Sequence, residues 1–566
     1  MKKLVLAAAV VAALGVGSYV YKQSQVAKTS AILANVPSDT LFLSYQTKAV
    51  DLDDFIASTS SSQPTSTREM FADEDLTSGA SFMLDLFDSY LQASTNPRDL
   101  KEFLGLGDTI NPVLYTLGAV PVLKLPVENP TAVWETLDEQ EKKSGFKHQL
   151  VKEGTLEYRR YEINTDEDSL GLVIAVVDNV LTVTFDVIPF GEDNPLKLAL
   201  GQEKPTSSMM DVDRLTKLET RYGKENTAFS FIDFRQVATG LTTKDGNLLA
   251  RQMRVFENDT EYSQFHIPAC NKELTQIANN WPQLVGFGRY EHNSDELNVK
   301  GSFVVESNNQ VIIDALKSIR GALNSTGDTP SIFGLSLGLD VAALAPAVST
   351  IWTELTSTQY QCPMLADAQL GMQQNPAPMI GMGTGMLNGL KGVSFQLFDI
   401  DMAASGKDGL DVKQVDAMIS VSADNPEALF QTAKMFTPEL SNIQIQADSK
   451  PVNIGPLFTQ YTGMPMDLYA RLNGSHMALY SGELAKGASE SVMTKPLSAD
   501  GLMSFSVDGQ RLLEFSTKAA ELTGEALPSD LTSTLEGDVV GEMTMDVIDH
   551  GIAFDFSYKF SDLNHK

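Results

Sequence analysis

Strand and hairpin patterns recur along this chain in one order, and this repetition limits the possible folds more than any other feature. An alternating apolar segment runs into Asn-Pro at residues 122–133 and again at residues 418–429, with a weaker copy at residues 302–316. Asn is a good helix N-cap, and Pro is tolerated at the first helical position because its missing N–H is not needed there. The two strong copies therefore predict a strand followed at once by a helix.

Hairpin patterns recur as well, and they fix the direction of neighbouring strands. Residues 173–185 have a turn at Asp178-Asn179, and residues 468–480 have one at Asn473-Gly474. Asn-Gly accepts positive φ at both central positions of a two-residue turn. Because the strands of a hairpin are antiparallel, these patterns favour an antiparallel sheet over a parallel one.

Two further patterns recur in the same order. A longer hairpin is predicted at residues 285–305 and again at residues 540–560. A strand that leads into a helix is predicted four times, at residues 40–44, 227–231, 331–335 and 502–506. Four kinds of element in one order indicate a tandem duplication.

Matched in order, the copies place two related halves at residues 36–320 and 330–562. The spacing agrees, since Asn129 lies 49 residues before Asp178 and Asn425 lies 48 residues before Asn473. Each half is predicted to be an α+β unit, a mostly antiparallel twisted sheet with helices on one face.

The N-terminus predicts export. Met1-Lys2-Lys3 precedes an uncharged stretch at residues 4–21 that is followed by Lys22. Residues 1–22 are therefore expected to form a signal anchor or a cleaved signal peptide, and residues 23–35 a stalk. A buried N-terminal helix is the alternative. Either export prediction places the body outside the cytoplasm.

Two cysteines agree with an oxidising compartment. Cys270 and Cys362 are 92 residues apart, and a disulfide between them is predicted to stabilise a domain that already has a core. Two unpaired buried thiols are the alternative.

Charge excludes one class of partner. The chain has 42 Lys and Arg against 73 Asp and Glu, which gives a net charge of −31. A general nucleic-acid binder needs clustered cations to replace the counterions of the phosphate backbone, so no nucleic acid is expected as a partner.

The sequence offers one weak catalytic motif. Residues 334–338 match the G-x-S-x-G pattern of a hydrolase nucleophile elbow, with Ser336 as the nucleophile. That elbow belongs to parallel, doubly wound sheets, which the hairpins disfavour. The six histidines have no metal-ligand spacing, and the glycine-rich residues 381–385 follow prolines instead of a strand. No catalytic residue, cofactor or metal is therefore predicted, and a serine hydrolase using Ser336 is kept as an alternative.

A methionine-rich segment is the main candidate for an interaction surface. Between residues 362 and 390 the only charged side chain is that of Asp367. Methionine packs adaptably, so core packing is the first expectation for this segment. Because methionine is also common at apolar binding surfaces, a face toward a ligand or a partner is the alternative. The methionines are Met364, Met372, Met379, Met382 and Met386.

The first half resembles a family of bacterial envelope proteins defined only as a domain of unknown function. The resemblance rests on the N-terminal anchor, on V-P-S-D-T-L-F-L at residues 36–43, and on P-V-E-N-P at residues 126–130. It implies an envelope location and an α+β fold, and it supplies no catalytic residue. With the export prediction, it places the protein in the bacterial inner membrane with its body in the periplasm, or free in the periplasm after signal cleavage.

These observations predict a non-enzymatic, membrane-tethered envelope protein. Its two similar halves are expected to form a cleft or extended surface for an apolar ligand, a lipid or an envelope protein partner. The alternatives are the extracytoplasmic serine hydrolase and a purely structural role in envelope assembly.

Overall fold

The computed structural model describes residues 26–59, 67, 76–164, 169–256, 260–293, 296–324, 331–405, 409–437, 440–441, 443–462, 466–524, 527 and 539–561. The predicted signal segment at residues 1–22 lies outside the described residues. The chain divides into two compact units. The first runs to Phe303 and includes Tyr360–Leu365, and the second comprises Val304–Gln359 and the residues from Ala366 onward.

The first unit is an antiparallel sheet with helices. Its strands are β1 (Phe42–Gln46), β2 (Val50–Asp51), β3 (Thr109–Ile110), β4 (Val113–Leu117), β5 (Val120–Pro126), β6 (Gln149–Glu153), β7 (Leu156–Asn164), β8 (Leu170–Val177), β9 (Val180–Val187), β10 (Ala228–Asp233), β11 (Gln283–Asn293) and β12 (Glu296–Glu306), whose last residues belong to the second unit. Its helices are α1 (Val26–Leu33), α2 (Leu52–Thr59), α3 (Ser78–Ala93), α4 (Pro97–Leu104), α5 (Pro130–Ser144), α6 (Leu196–Ala199), α7 (Arg214–Tyr222), α8 (Phe234–Thr242), α9 (Leu248–Gln252), α10 (Thr260–Phe265) and α11 (Pro268–Asn280).

The second unit is also an antiparallel sheet with helices. Its strands are β13 (Phe333–Gly338), β14 (Leu390–Ser405), β15 (Gly409–Ala423), β16 (Val452–Asn453), β17 (Tyr469–Leu472), β18 (His476–Ser481), β19 (Met503–Asp508), β20 (Val539–Ile548) and β21 (Gly551–Ser561). Its helices are α12 (Gln310–Ser318), α13 (Val341–Thr356), α14 (Pro363–Leu370), which begins in the segment assigned to the first unit, α15 (Ala377–Thr384), α16 (Pro426–Phe436), α17 (Gly455–Thr462), α18 (Glu483–Thr494) and α19 (Gly509–Thr523).

The strand orders of the two units correspond, except that the first unit has one further strand, β6, at one edge. In the first it is β12-β11-β10-β1-β4-β5-β9-β8-β7-β6, with β2 and β3 paired separately. In the second it is β21-β20-β19-β13-β14-β15-β18-β17-β16. These pairings are antiparallel, so the predicted α+β class with an antiparallel sheet is confirmed.

The pairing register matches the repeat that the sequence indicates. One row of directly opposed residues crosses each sheet on the same face. In the first unit it reads Val183, Leu123, Leu114, Ser44 and Ser230. In the second it reads Leu479, Ile419, Phe395, Leu335 and Phe505. The sequence pattern aligns Leu123 with Ile419, Ser44 with Leu335 and Ser230 with Phe505. A tandem duplication predicts this agreement, and common ancestry stays a prediction.

One expectation about the helices is wrong. The sequence pattern predicts helices on one face of the sheet, but the helices pack on both faces. In the first unit α3, α4 and α5 lie over the face of Val183, whereas Leu196 and Leu200 pack with Val173 and Ala175 on the opposite face. The strands of this sheet therefore need apolar residues at both alternating positions, as the run LGLVIAVV of β8 shows.

Candidate apolar ligand site

The floor of an apolar pocket in the first unit is formed by the β8–β9 hairpin. Ile174 stands opposite Val183, and Leu172 stands opposite Phe185. Successive side chains of a strand alternate between faces, so these residues share one face with Leu181. The hairpin turn is the two-residue type that the sequence predicts, with φ of 50° at Asp178 and 58° at Asn179.

Helix α3 forms one wall of this pocket. Met83, Phe87 and Tyr90 recur at the spacing of one helix face, so they point together at the sheet. Thr77 caps the helix by accepting a hydrogen bond of 3.1 Å from the amide of Ala80, and its hydroxyl donates to the carbonyl oxygen of Ile163 in β7. This second bond ties the start of the helix to the sheet.

Helices α4 and α5 complete the wall. Asn96 caps α4, and α4 ends at Gly105, whose φ of 66° is left-handed. The carbonyl oxygen of Gly105 accepts hydrogen bonds from the amides of Glu128 and Asn129, at 2.9 and 3.0 Å. A Cβ at residue 105 would lie 2.1 Å from the carbonyl oxygen of Asn129, so glycine permits this close approach. The end of α4 is thereby fixed to the start of α5.

These elements surround an apolar pocket that is partly open to solvent. Its empty volume, which includes some of that open space, is about 650 Å³. Fourteen residues line the pocket and none is charged. They are Met83, Leu86, Phe87, Tyr90, Phe103, Leu104, Val133, Thr136, Leu137, Leu172, Ile174, Leu181, Val183 and Phe185.

Two hydroxyl groups supply the polarity of the lining. Thr136 donates to the carbonyl oxygen of Phe103 at 3.0 Å, so its hydroxyl proton is already used. Tyr90 stacks with Phe87 at 6.1 Å between ring centroids, and within the described residues its hydroxyl makes no hydrogen bond. Burial raises the pKa of Tyr90 to about 12, so the group stays protonated near neutral pH and can donate to a ligand.

A buried ionic cluster holds α5 against the sheet. The Glu141 carboxylate accepts from the Tyr161 hydroxyl at 2.9 Å and contacts His148 Nδ1 at 2.5 Å. Arg159 Nη1 lies 3.4 Å away, and the ring of Tyr161 stacks on Phe82 at 4.7 Å. Burial by itself would raise the pKa of Glu141, but the hydrogen bonds from His148 and Tyr161 outweigh it and lower that pKa. Arg159 and Tyr161 belong to β7, so these contacts hold α5 against the sheet and fix the wall of the pocket.

The predicted methionine surface is divided by the fold. Met364 belongs to the segment of the first unit and is 39% exposed. In the second unit, Met379 is 74%, Met382 85% and Met386 56% exposed, while Met372 is partly buried. Core packing therefore does not account for the three most exposed methionines.

Ser336 is not at a strand-to-helix turn. It lies inside β13, 2% exposed, opposite Ser394 on β14 and Ser504 on β19. A nucleophile elbow needs an exposed serine at a sharp turn. The serine-hydrolase alternative stays a prediction with no supporting geometry.

A different serine contacts a histidine, and no local sequence pattern indicates this pair. Ser422 Oγ lies 2.8 Å from His476 Nδ1, and His476 Nε2 lies 3.0 Å from the carbonyl oxygen of Lys495. Both side chains are 0% exposed, so no substrate reaches them. Asn324 donates to Ser422 and Ser420, which makes this a buried structural network.

The predicted disulfide is confirmed. Cys270 and Cys362 are bonded, with their Cα atoms 4.5 Å apart, and both belong to the first unit. Glu273 accepts hydrogen bonds from the amides of Gln361 and Cys362, each at 2.9 Å, so the bonded segment is also held by a carboxylate.

Comparisons with known proteins do not assign this chain to a family. Comparison with protein families, with curated proteins and with solved structures found no match. The resemblance to an envelope family therefore stays a prediction. In the part of the chain that the structure describes, no helix is long and apolar enough to cross a bilayer. Among the same residues, no group of three or more His, Cys, Asp or Glu is placed to hold a metal ion.

Proposed function

We propose that this protein binds an apolar small molecule with an acyl-chain-like body in the pocket of its first unit, and that it acts by binding and not by catalysis. The supporting observation is the uncharged lining of the pocket between α3, α4, α5 and the β8–β9 hairpin. An apolar cavity gains free energy when an apolar ligand replaces poorly bonded water.

The lining also favours one kind of ligand. A hydrocarbon body matches the leucine, phenylalanine and valine walls, and a single polar end can accept the hydrogen bond that Tyr90 has available. Fatty acids and the acyl parts of lipids combine these two features. A sugar or nucleotide would leave its polar groups without partners.

The proposal includes an extracytoplasmic location. A disulfide persists in oxidising compartments, and Cys270 and Cys362 form one. With the predicted export segment at residues 1–22, this supports a body in the bacterial periplasm, attached to the inner membrane or released from it.

Extraction of bound lipid, followed by a fatty-acid titration, tests this proposal. We expect the purified chain to release an acyl lipid on solvent extraction, and the extracted protein to bind a fluorescent fatty acid saturably. Val183→Phe fills the pocket from its floor and should weaken binding at least tenfold. Val177→Phe, at the exposed end of the same hairpin, adds the same volume and should leave binding unchanged.

A second variant tests the hydrogen bond between Tyr90 and the polar end of the ligand. Tyr90→Phe keeps the ring and removes the hydroxyl, so it should weaken a long-chain fatty acid by about 2- to 13-fold, the equivalent of one hydrogen bond. An alkane of equal length should bind both proteins alike. Equal fatty-acid binding by wild type and Val183→Phe would refute the pocket as the site.

A further inference from the structure

The second unit exposes the sheet face that is the pocket floor in the first. Side chains on this face remain open to solvent although they are large and apolar. Their exposed fractions are 49% for Leu337, 39% for Val393, 38% for Phe395, 44% for Ile419 and 36% for Met543.

These side chains form one continuous patch, which we call the open face. Val393 is opposite Leu337, and Phe395 is opposite both Leu335 and Ile419. Phe505, opposite Leu335, extends the patch to Met543. The ring of Phe333 joins it, 6.2 Å from Phe395 and 5.4 Å from Phe505. Continuous apolar patches of this kind on soluble domains mark interaction sites.

The two units differ in what covers the corresponding face. In the first unit α3, α4 and α5 all line the pocket above it. In the second unit α16 follows β15 as α5 follows β5, and its Phe430 packs with Ala470 and Leu472 of β17, in a cluster that Leu479 of β18 joins. Helix α15 packs on α13, where a Cβ at Gly381 would lie 3.5 Å from Cβ of Ala345.

We propose that the open face is a docking site for a basic amphipathic helix of a partner protein. The first unit shows the kind of element that fits this face, because α3 places Met83, Phe87 and Tyr90 along one stripe above it. A partner helix with such a stripe would fill the same position in the second unit. Helices that dock by an apolar stripe are a common recognition mode.

Charge selects among the possible occupants. Residues 304–566 contain 31 Asp and Glu against 14 Lys and Arg. A basic helix gains from this field, whereas a second copy of this unit or an anionic bilayer is repelled by it.

Peptide binding to the full-length chain tests the proposal. The probe is a fluorescein-labelled 18-residue amphipathic Leu/Lys peptide, compared with a scrambled peptide of the same composition and with a Leu/Glu peptide of the same pattern. We expect saturable binding of the Leu/Lys peptide, at least tenfold tighter than either comparison peptide. Phe395→Asp and Ile419→Asp should each weaken it at least tenfold, although both add a charge that attracts the peptide.

Leu484→Asp is the matched control. Leu484 is 41% exposed on α18, which packs on the opposite face of the sheet, so this variant should bind at least as well as wild type. Equal loss in Leu484→Asp, or equal binding of the scrambled peptide, would show that charge alone acts and would overturn the proposal. Cosedimentation with phosphatidylglycerol vesicles, or self-association that Phe395→Asp abolishes, would identify a bilayer or a second copy as the occupant instead.

Discussion

At the scale of single residues, the Ser422–His476 pair shows how burial determines a protonation state. His476 Nε2 carries the proton because it faces the carbonyl oxygen of Lys495, so Nδ1 accepts from Ser422. Burial lowers the pKa of His476, and the charge of Lys495 acts in the same direction, while the hydrogen bond to the Lys495 carbonyl opposes both. The imidazole is therefore neutral in the folded protein at neutral pH.

This protonation state predicts an acid-sensitive fold. Below the pKa of the unfolded chain, near 6.5, unfolded His476 takes up a proton that the folded protein does not, so stability falls as the pH falls through that region. Urea unfolding should show a larger loss of unfolding free energy between pH 7.5 and pH 5 for wild type than for His476→Gln. At pH 7.5 the variant should already be less stable by about 1–3 kcal/mol, because the flexible amide cannot hold both hydrogen bonds of the imidazole, to Ser422 and to the Lys495 carbonyl oxygen, in the same geometry. Identical pH dependence in the two proteins would contradict this account.

The surroundings of individual serine and histidine side chains are the least predictable feature from the sequence. Ser336 matched a motif by letters, but its neighbours Ser394 and Ser504 lie on other strands and place it in a buried serine row. His476 and Ser422 are 54 residues apart, so only the register of β15 and β18 brings them together. No local pattern contains that information.

At the scale of elements, the docking of α3 on β7 controls the pocket. Gly79 lies in the first turn of α3, and a Cβ there would lie 1.9 Å from the carbonyl oxygen of Glu162. The backbone of Glu162 cannot move away as a flexible side chain can. Helix α3 would therefore have to shift outward, which would widen the space between Phe87 and the sheet.

Gly79→Ala should therefore cost about 1–3 kcal/mol of unfolding free energy, in the range of an overpacked contact, and should weaken fatty-acid binding as well. Gly487→Ala is the control, since Gly487 lies inside α18 with open space around its missing Cβ. That change should be neutral or stabilise by up to about 1 kcal/mol. Denaturant melts and the fluorescent fatty-acid titration measure both effects. If Gly79→Ala behaved like Gly487→Ala, the close approach would not be limiting.

Local elements are predicted best where the sequence contains residues typical of a tight turn or of a helix start. The Asp178-Asn179 hairpin has the positive φ values expected of it, and α5 and α16 begin at Asn-Pro. The second hairpin is displaced by one residue, because Asn473 pairs with His476 and leaves Gly474-Ser475 at the centre. The pocket itself was not predicted, since it depends on how α3 and α4 lie across the sheet. Its residues are spread from Met83 to Phe185.

At the scale of the whole molecule, the two units have corresponding strand orders, but helices cover the equivalent sheet face to different extents. The sequence repeat predicts two related halves, each with a mostly antiparallel sheet. It could not predict that the residues between β1 and β4 would line a pocket over their sheet, while those between β13 and β14 leave Leu337 and Phe395 exposed. That difference depends on α3 and α4 in one unit and on α13 and α15 in the other, which share no pattern. A binding pocket and a docking surface can therefore arise from equivalent faces.

The disulfide stabilises the first unit across a long stretch of chain. The bond between Cys270 and Cys362 closes a 92-residue loop, which in the chain-entropy model contributes about 4–5 kcal/mol. Glu273 holds the same segment through the amides of Gln361 and Cys362, so the native contact should survive reduction. We therefore expect reductant to lower the denaturant midpoint of the first unit while fatty-acid binding at 25 °C persists.

The Cys270→Ala/Cys362→Ala double variant separates loss of the covalent bond from other effects of reductant. It should melt at the midpoint of the reduced wild type and should not respond to reductant itself. Because Glu273 lies outside the pocket lining, Glu273→Gln in the double variant should lower the midpoint further and leave ligand affinity unchanged in the folded protein. A wild-type midpoint that is the same with and without reductant would mean that the unfolded chain is already compact around this loop, so that closing it removes little entropy.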